Sequence, residues 1–148
     1  MYITILDYEH LNGILKKNRK KNPTWEDIRD EIIQLKGDNW SSVYLRKEEN
    51  DEFLEFMGIR RFKDNLYECI IYTQDSNELE WELYDPSKLS AESDLTRCVA
   101  LNQVLKAAET YAKFGKRDPL LNWRDYNQNL DEESESELNE GFDEDEDF

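Results

Sequence analysis

The sequence predicts an α+β fold: an antiparallel β-meander of four to five strands, with one helix before it and one after it. Two segments carry apolar residues at helical spacing, and the segment between them alternates apolar with polar residues. Short polar turn signals divide that middle segment. Because short turns join antiparallel neighbours, we expect hairpins, with both helices packed on the apolar face of the sheet.

The first segment with strand character is residues 1–6, which are mostly β-branched or apolar. A basic run, Lys16–Lys21, follows within a polar stretch. Short charge runs usually face water, so we interpret this run as a solvated loop rather than a binding patch.

The first helix is predicted to begin after Thr24. The Thr24 hydroxyl can cap the first turn, and Asp27 stands at the reciprocal acidic position of a capping box. Gly37 is placed to end the helix in a left-handed conformation. The apolar face of this helix is predicted to hold Trp25, Ile28, Ile32 and Leu35.

From residue 40 to residue 85 the period changes to two, which indicates strands. The clearest run is 79–84, where Leu, Trp and Leu alternate with Glu80, Glu82 and Tyr84. We predict that one set of side chains points at the helices: Val43, Leu45, Leu54, Phe56, Cys69, Ile71, Leu79, Trp81 and Leu83.

The second helix is predicted to begin at an Asn102 cap and to end at Gly115. Its apolar stripe includes Val104, Ala108 and Tyr111. An extended piece, 118–123, follows, and we expect its Leu and Trp side chains to fold back on the core.

Charge divides the chain into two parts. The formal net charge is −16, and residues 127–148 carry 11 of the 35 acidic residues and none of the 19 basic ones. We therefore predict one domain, 1–126, and an acidic disordered tail, 127–148. Nucleic acid is not an expected partner, because phosphate contacts need Lys and Arg. Basic proteins are the expected partners of such a chain.

Membrane insertion and secretion are also not expected. No apolar run approaches the roughly 20 residues that span a bilayer, and no charged-then-apolar leader opens the chain. Cys69 and Cys98 are far apart and form no CxxC pair, so we expect buried thiols rather than a disulfide or a zinc site. The expected compartment is the cytoplasm.

The sequence offers few of the residues and motifs that are typical of catalytic sites. His10 is the one histidine, and no nucleophile, phosphate-binding or HExxH motif accompanies it. The acidic run 143–147 lacks the glycine and the closing glutamate of a calcium-binding loop. We expect a protein that is not an enzyme and that has no cofactor and no metal.

A binding surface is predicted on the side of the sheet turned away from the helices. Tyrosines there would supply rigid contact area, and acids would steer a basic partner. The candidate contact residues of this surface are Tyr44, Glu55, Glu68, Tyr72, Glu80, Glu82 and Tyr84. The tail adds Asp131, Glu132 and Glu133 as candidates for the same kind of partner.

Two stretches carry a family resemblance. NPTWEDI, residues 22–28, opens the first helix, and the second helix leads through GKRDP, residues 115–119, to LNW, residues 121–123. Together with the strand segment 79–86, they resemble immunity protein family one of bacterial polymorphic toxin systems. The likeness covers roughly residues 22–126 and looks closest to members that neutralise deaminase toxins, including toxins that act on DNA. The basic run and the acidic tail depart from the family pattern.

The resemblance implies a cytoplasmic immunity protein that binds the toxic C-terminal domain of a cognate effector and covers its active site. A toxin that acts on nucleic acid needs a positive cleft, in which carboxylates can stand where phosphates would lie. An alternative is an acidic adaptor or chaperone-like module that binds basic proteins generally. Such a module would lose its partners as salt rises.

Overall fold

Seven antiparallel strands form one sheet in a computed structural model that describes residues 1–11, 15–37, 41–47, 55–73, 80–88 and 96–125. The strands are β1 (Ile5–Leu11), β2 (Leu15–Lys21), β3 (Ser42–Arg46), β4 (Glu55–Lys63), β5 (Leu66–Thr73), β6 (Trp81–Leu83) and β7 (Trp123–Asp125). Their order across the sheet is β2-β1-β3-β4-β5-β6-β7. The α+β class and the antiparallel sheet are confirmed. The count of four to five strands is too low.

Helix α1 (Trp25–Ile33) connects β2 to β3, and helix α2 (Leu101–Phe114) lies between β6 and β7, after a 3₁₀ turn at Pro86–Lys88. The two helices contact each other, α1 contacts β3, and α2 contacts β4 and β5. They pack on one side of the sheet, which we call the helix face; the opposite side is the open face. The core between them includes Leu6, Ile28, Ile32, Val43, Leu45, Met57, Ile59, Cys69, Ile71, Leu83, Val104, Ala108 and Tyr111.

The start of α1 agrees with the sequence. The Thr24 hydroxyl accepts the N–H of Asp27 at 3.1 Å, and the Thr24 N–H donates to Asp27 Oδ2 at 2.9 Å. The prediction that Gly37 ends this helix is wrong. The helix closes at Ile33 with Gln34 as its cap, because the N–H of Leu35 turns back to the Ile32 carbonyl and tightens the last turn.

For helix α2 the predicted end is confirmed and the predicted start is wrong. It begins at Leu101 behind Ala100, so the predicted Asn102 cap is wrong. The Leu101 N–H is instead satisfied from the β4–β5 turn, where Asn65 Oδ1 accepts it at 3.0 Å. Gly115 ends the helix in the left-handed region at φ 70°, as predicted.

Strand β1 starts at Ile5 and runs to residue 11, so it shares only residues 5 and 6 with the predicted segment 1–6. The basic run Lys16–Lys21 is part of β2, not a loop. The reason is cross-strand charge pairing. Asp7 stands opposite Arg19, whose Nε lies 2.7 Å from Asp7 Oδ1, and Glu9 stands opposite Lys17 at 3.7 Å. The sheet therefore begins before α1, and β7 extends it after α2.

The inward set of side chains is confirmed in part. Val43, Leu45, Cys69, Ile71 and Leu83 are buried, and Trp81 packs against the same core. Leu54 and Leu79 lie outside the described residues.

The phase predicted for β4 is wrong. Met57 pairs with Leu45 and Ile71, and both Met57 and Ile59 are fully buried. This register turns Phe56 to the open face and Glu55 to the helix face, because side chains alternate along a strand.

The segment after α2 folds back only in part, because Leu120 is 77% exposed. Leu121 and Trp123 pack against the core, and Trp123 pairs with Leu83 in the sheet. Both cysteines are buried thiols. Among the described residues, the search for a membrane-spanning helix finds none of sufficient length and apolarity.

Candidate functional site

Three of the candidate contact residues lie on the open face and are partly exposed: Tyr44, Glu68 and Tyr72. Tyr44 alternates along β3 with the buried residues Val43 and Leu45, which fixes its side of the sheet. Phe56, assigned to the core from sequence, joins the two tyrosines there. Its ring stacks on Tyr72 at a centroid distance of 5.0 Å and meets Tyr44 edge-on at 6.0 Å. We call Tyr44, Phe56 and Tyr72 the aromatic patch.

Gly58 lies between the two tyrosines and shapes the aromatic patch. A Cβ at this position would come within 3.0 Å of the Tyr72 ring and 3.4 Å of the Tyr44 ring. The tyrosine rings therefore close over the bare backbone of β4, and a larger residue at 58 would push them apart.

Arg46 extends the aromatic patch toward β1. Its guanidinium lies 4.6 Å from the centroid of the Phe56 ring and 5.4 Å from that of Tyr44. Its Nε donates to Asp7 Oδ2 at 2.8 Å, and Arg19 holds the other oxygen of Asp7. A groove of about 300 Å³ runs beside these side chains along β2, β1 and β3. Asp7 and Arg46 are functional candidates that the sequence analysis missed.

The open face is less acidic than the sequence suggested. Glu68 accepts from Arg60 at 2.8 Å, just as Asp7 accepts from Arg46 and Arg19. Ion pairs between neighbouring strands thus cancel much of the charge of the acids on this face. Its chemical character is aromatic and arginine-rich.

Glu82 is not available to a partner, contrary to the prediction. It is 0% exposed, and its Oε2 accepts from Arg124 Nε at 2.6 Å while Arg97 lies 3.7 Å from Oε1. Thr96 lies nearby, because its carbonyl accepts from the Asp85 N–H at 2.8 Å and its hydroxyl accepts from Arg124 at 3.0 Å. The sequence predicted that Glu82 would contact a partner, but its burial makes this carboxylate structural.

The remaining candidates are Glu80, Tyr84 and the three acids of the tail. Glu80 is half-buried, and burial, followed by the charge of Asp125, raises the pKa of its carboxyl. Tyr84 is also half-buried and lies under the Arg124 guanidinium, at 5.1 Å from its ring centroid. Asp131, Glu132 and Glu133 lie outside the described residues.

Glu55, predicted to face a partner, instead lines a cleft of about 680 Å³ on the helix face. Its Oε1 accepts a hydrogen bond from Tyr111 Oη at 2.9 Å. Burial, reinforced by the Glu55 charge, raises the pKa of the Tyr111 hydroxyl, which therefore stays a donor. The other side chains around the cleft include Trp81, Lys116, Arg117, Leu121 and Trp123.

His10 has a structural partner. Its Nε2 lies 2.8 Å from Glu31 Oε1, so the ring joins β1 to α1, and it packs at 5.6 Å from the Tyr8 ring. Within the described ranges, no group of three or more His, Cys, Asp or Glu side chains is arranged to hold a metal ion.

Comparisons of the chain with protein-family models, with curated proteins and with solved structures find no match. The function proposed below therefore depends on the geometry of the open face and on the sequence motifs.

Proposed function

We propose that this chain is an immunity protein, a binding protein without catalytic activity, that neutralises the toxin domain of a cognate bacterial polymorphic effector by covering its active site. The expected toxin is a deaminase that acts on nucleic acid. The observation that carries the proposal is the aromatic patch with Arg46, on a sheet face that no described helix covers.

The composition of this surface supports a binding role. Tyr and Arg are enriched among the residues that dominate binding energy at protein interfaces. The aromatic patch is also held in place before any partner arrives, because Phe56 contacts Tyr44, Tyr72 and Arg46. Side chains that are already ordered lose less entropy on binding, which leaves more of the contact energy as affinity.

Net charge supports a basic partner. The chain carries −16 overall, and the tail concentrates this charge. A toxin that binds nucleic acid presents a positive cleft, so the two proteins attract each other at long range. In this scheme the tail accelerates encounter, and the aromatic patch supplies the lasting contact.

A rescue experiment in cells tests the proposal. The toxin domain encoded immediately upstream of this gene would be co-expressed with the full-length protein, with a form ending at Tyr126, and with Tyr44→Ala/Tyr72→Ala. Phe114→Ala is the matched control, because Phe114 is an aromatic residue that is 66% exposed on α2. We expect rescue by the first two forms and by the control, and loss of rescue by the double variant.

Two results would count against this scheme in different ways. Rescue only by forms that retain residues 127–148 would make the tail the inhibitor. Failure of every form, including the full-length chain, would remove the immunity function and favour the acidic adaptor. An adaptor would bind polylysine and histones alike and release them as salt rises, whereas an immunity protein would ignore both at physiological salt.

A further inference from the structure

The cleft on the helix face is separate from the open face and has its own chemistry. It forms where the chain leaves α2 at Gly115 and crosses the sheet on its way to β7. Its volume of about 680 Å³ falls in the range of small-molecule sites, roughly 300–1,000 Å³.

A negative charge lies on the sheet side of this cleft. Glu55 is half-buried, and Tyr111 occupies its Oε1. Among the described residues Glu55 makes no ion pair, and its Oε2 has no hydrogen-bond donor. A half-buried carboxylate without an ion-pair partner favours a bound cation, because a charge-assisted hydrogen bond would replace part of the hydration that the carboxylate lost on burial.

Positive charges lie on the loop side of the same cleft. Arg117 is fixed by stacking, with its guanidinium 3.8 Å from the centroid of the Trp81 ring, and Lys116 is its neighbour. Neither side chain forms an ion pair with a residue in the described ranges. Asp118, the other acid at the cleft, has its oxygens occupied by Thr110 and by the Leu120 N–H.

We propose that this cleft binds a small zwitterion of amino-acid size, with its cationic end at Glu55 and its anionic end at Lys116 and Arg117. The negative charge of Glu55 and the positive charges of Lys116 and Arg117 line one cavity and form no ion pair with each other. A molecule that carries both charges would form an ion pair on each side. Trp123 offers an aromatic wall, on which a planar guanidinium packs better than a compact ammonium, whereas Arg117 already stacks on the Trp81 ring. This binding site goes beyond the proposed function and does not depend on it.

Three related probes separate the parts of the proposal. L-arginine carries both charged ends, agmatine lacks the carboxylate, and citrulline replaces the guanidinium by a neutral urea. Calorimetric titration of the full chain is expected to show arginine binding, with citrulline weaker by about tenfold or more. Agmatine is expected to bind more weakly than arginine, and Arg117→Ala should not weaken its binding, because agmatine has no carboxylate for Arg117 to bind.

Two variants locate the site. Glu55→Gln keeps the shape of the side chain and is expected to weaken arginine binding by about tenfold. Glu109→Gln is the matched control, because Glu109 pairs with Lys113 on α2 and does not line the cleft. Arg117 is exposed, so Arg117→Ala tests the anionic end without disturbing the core.

The absence of arginine binding at millimolar concentration would overturn the proposal. Binding that Glu55→Gln and Arg117→Ala both leave unchanged would also overturn it, because the molecule would then lie elsewhere. Neither result would bear on immunity, which the rescue experiment with the Tyr44 and Tyr72 variants tests separately.

Discussion

Arg124 donates a 2.6 Å hydrogen bond from its Nε to Oε2 of Glu82, and the Glu82 side chain is completely buried. The pair joins β6 to β7, and Arg124 also donates to Thr96 at 3.0 Å. A short edge strand with three residues has few backbone hydrogen bonds of its own. This ion pair therefore contributes to holding β7, and with it the chain that follows α2, on the sheet.

Removal of this carboxylate is expected to be costly. Glu82→Ala would leave the mostly buried Arg124 side chain, 22% exposed, without this carboxylate. Breaking a buried pair from one side costs about 3–5 kcal/mol. Urea unfolding measures the change. Glu109→Ala, which breaks the exposed pair with Lys113, should cost no more than about 0.5 kcal/mol. Equal stability of the two variants would contradict the structural role of Glu82.

Gly115 is expected to tolerate no side chain. Gly115→Ala should lower the free energy of unfolding by about 1–2 kcal/mol, because a residue with a Cβ is strained in the left-handed conformation. Steric overlap should add to this destabilisation, because the new Cβ would lie 2.5 Å from the Tyr2 ring. The free energy of unfolding is measured for Gly115→Ala, for Tyr2→Ala and for the double variant. The penalty of Gly115→Ala should fall to about 1–2 kcal/mol in the Tyr2→Ala background, and an unchanged penalty would show that Tyr2 is not the obstacle.

The capping box of α1 should make stability depend on pH. The Thr24 N–H, followed by the Lys20 side chain, lowers the pKa of Asp27 below its ordinary value. An acid with a lowered pKa stabilises the fold fully above its unfolded pKa, and this contribution is lost as the pH falls through the folded pKa. We expect Asp27→Asn to destabilise the protein at pH 7, and the difference from wild type to shrink from about pH 5 downward.

Thermal melting at several pH values measures this difference. Asp30→Asn is the control on the same helix, because the Asp30 side chain is 58% exposed and contacts Arg29 only at 3.5 Å. A difference between wild type and Asp27→Asn that stays constant down to pH 3 would contradict the assignment.

The Cys69 thiol should be unreactive in the folded protein. Burial raises its pKa, so the thiolate that attacks a disulfide reagent does not form near neutral pH. In a Cys98→Ala variant, Cys69 is the remaining cysteine. A disulfide reagent should label its thiol only after urea has unfolded the protein. Rapid labelling without denaturant would contradict the burial. Because this pKa is raised, the associated stability should fade as the pH rises above about 8.5, where the unfolded thiol ionises.

The features that the sequence predicted correctly are those with local causes. The Thr24–Asp27 capping box and the left-handed Gly115 involve residues within a few positions of each other. The alternation around Val43 and Leu45 likewise identified the buried side of β3, because one strand carries that pattern by itself.

The features that it missed depend on partners far along the chain. A run of lysines does not predict a strand unless Asp7 and Glu9 are known to stand opposite it. Likewise, Glu82 cannot be recognised as buried from its own strand, because its partners Arg97 and Arg124 come later in the chain. The error in β4 came from placing Leu54 and Phe56 on the inward side. Ile59 fixes the phase, and extending the alternation to it would have moved Glu55 from the partner surface to the cleft.

The central claim is that the aromatic patch on the open face binds a toxin domain, and an affinity measurement tests it most directly. The purified toxin domain encoded upstream would be titrated with wild type, with Tyr44→Ala/Tyr72→Ala and with Phe114→Ala at physiological salt. We expect the double variant to bind at least about tenfold more weakly and the Phe114 control to match wild type. Wild-type affinity in a folded double variant would contradict the claim.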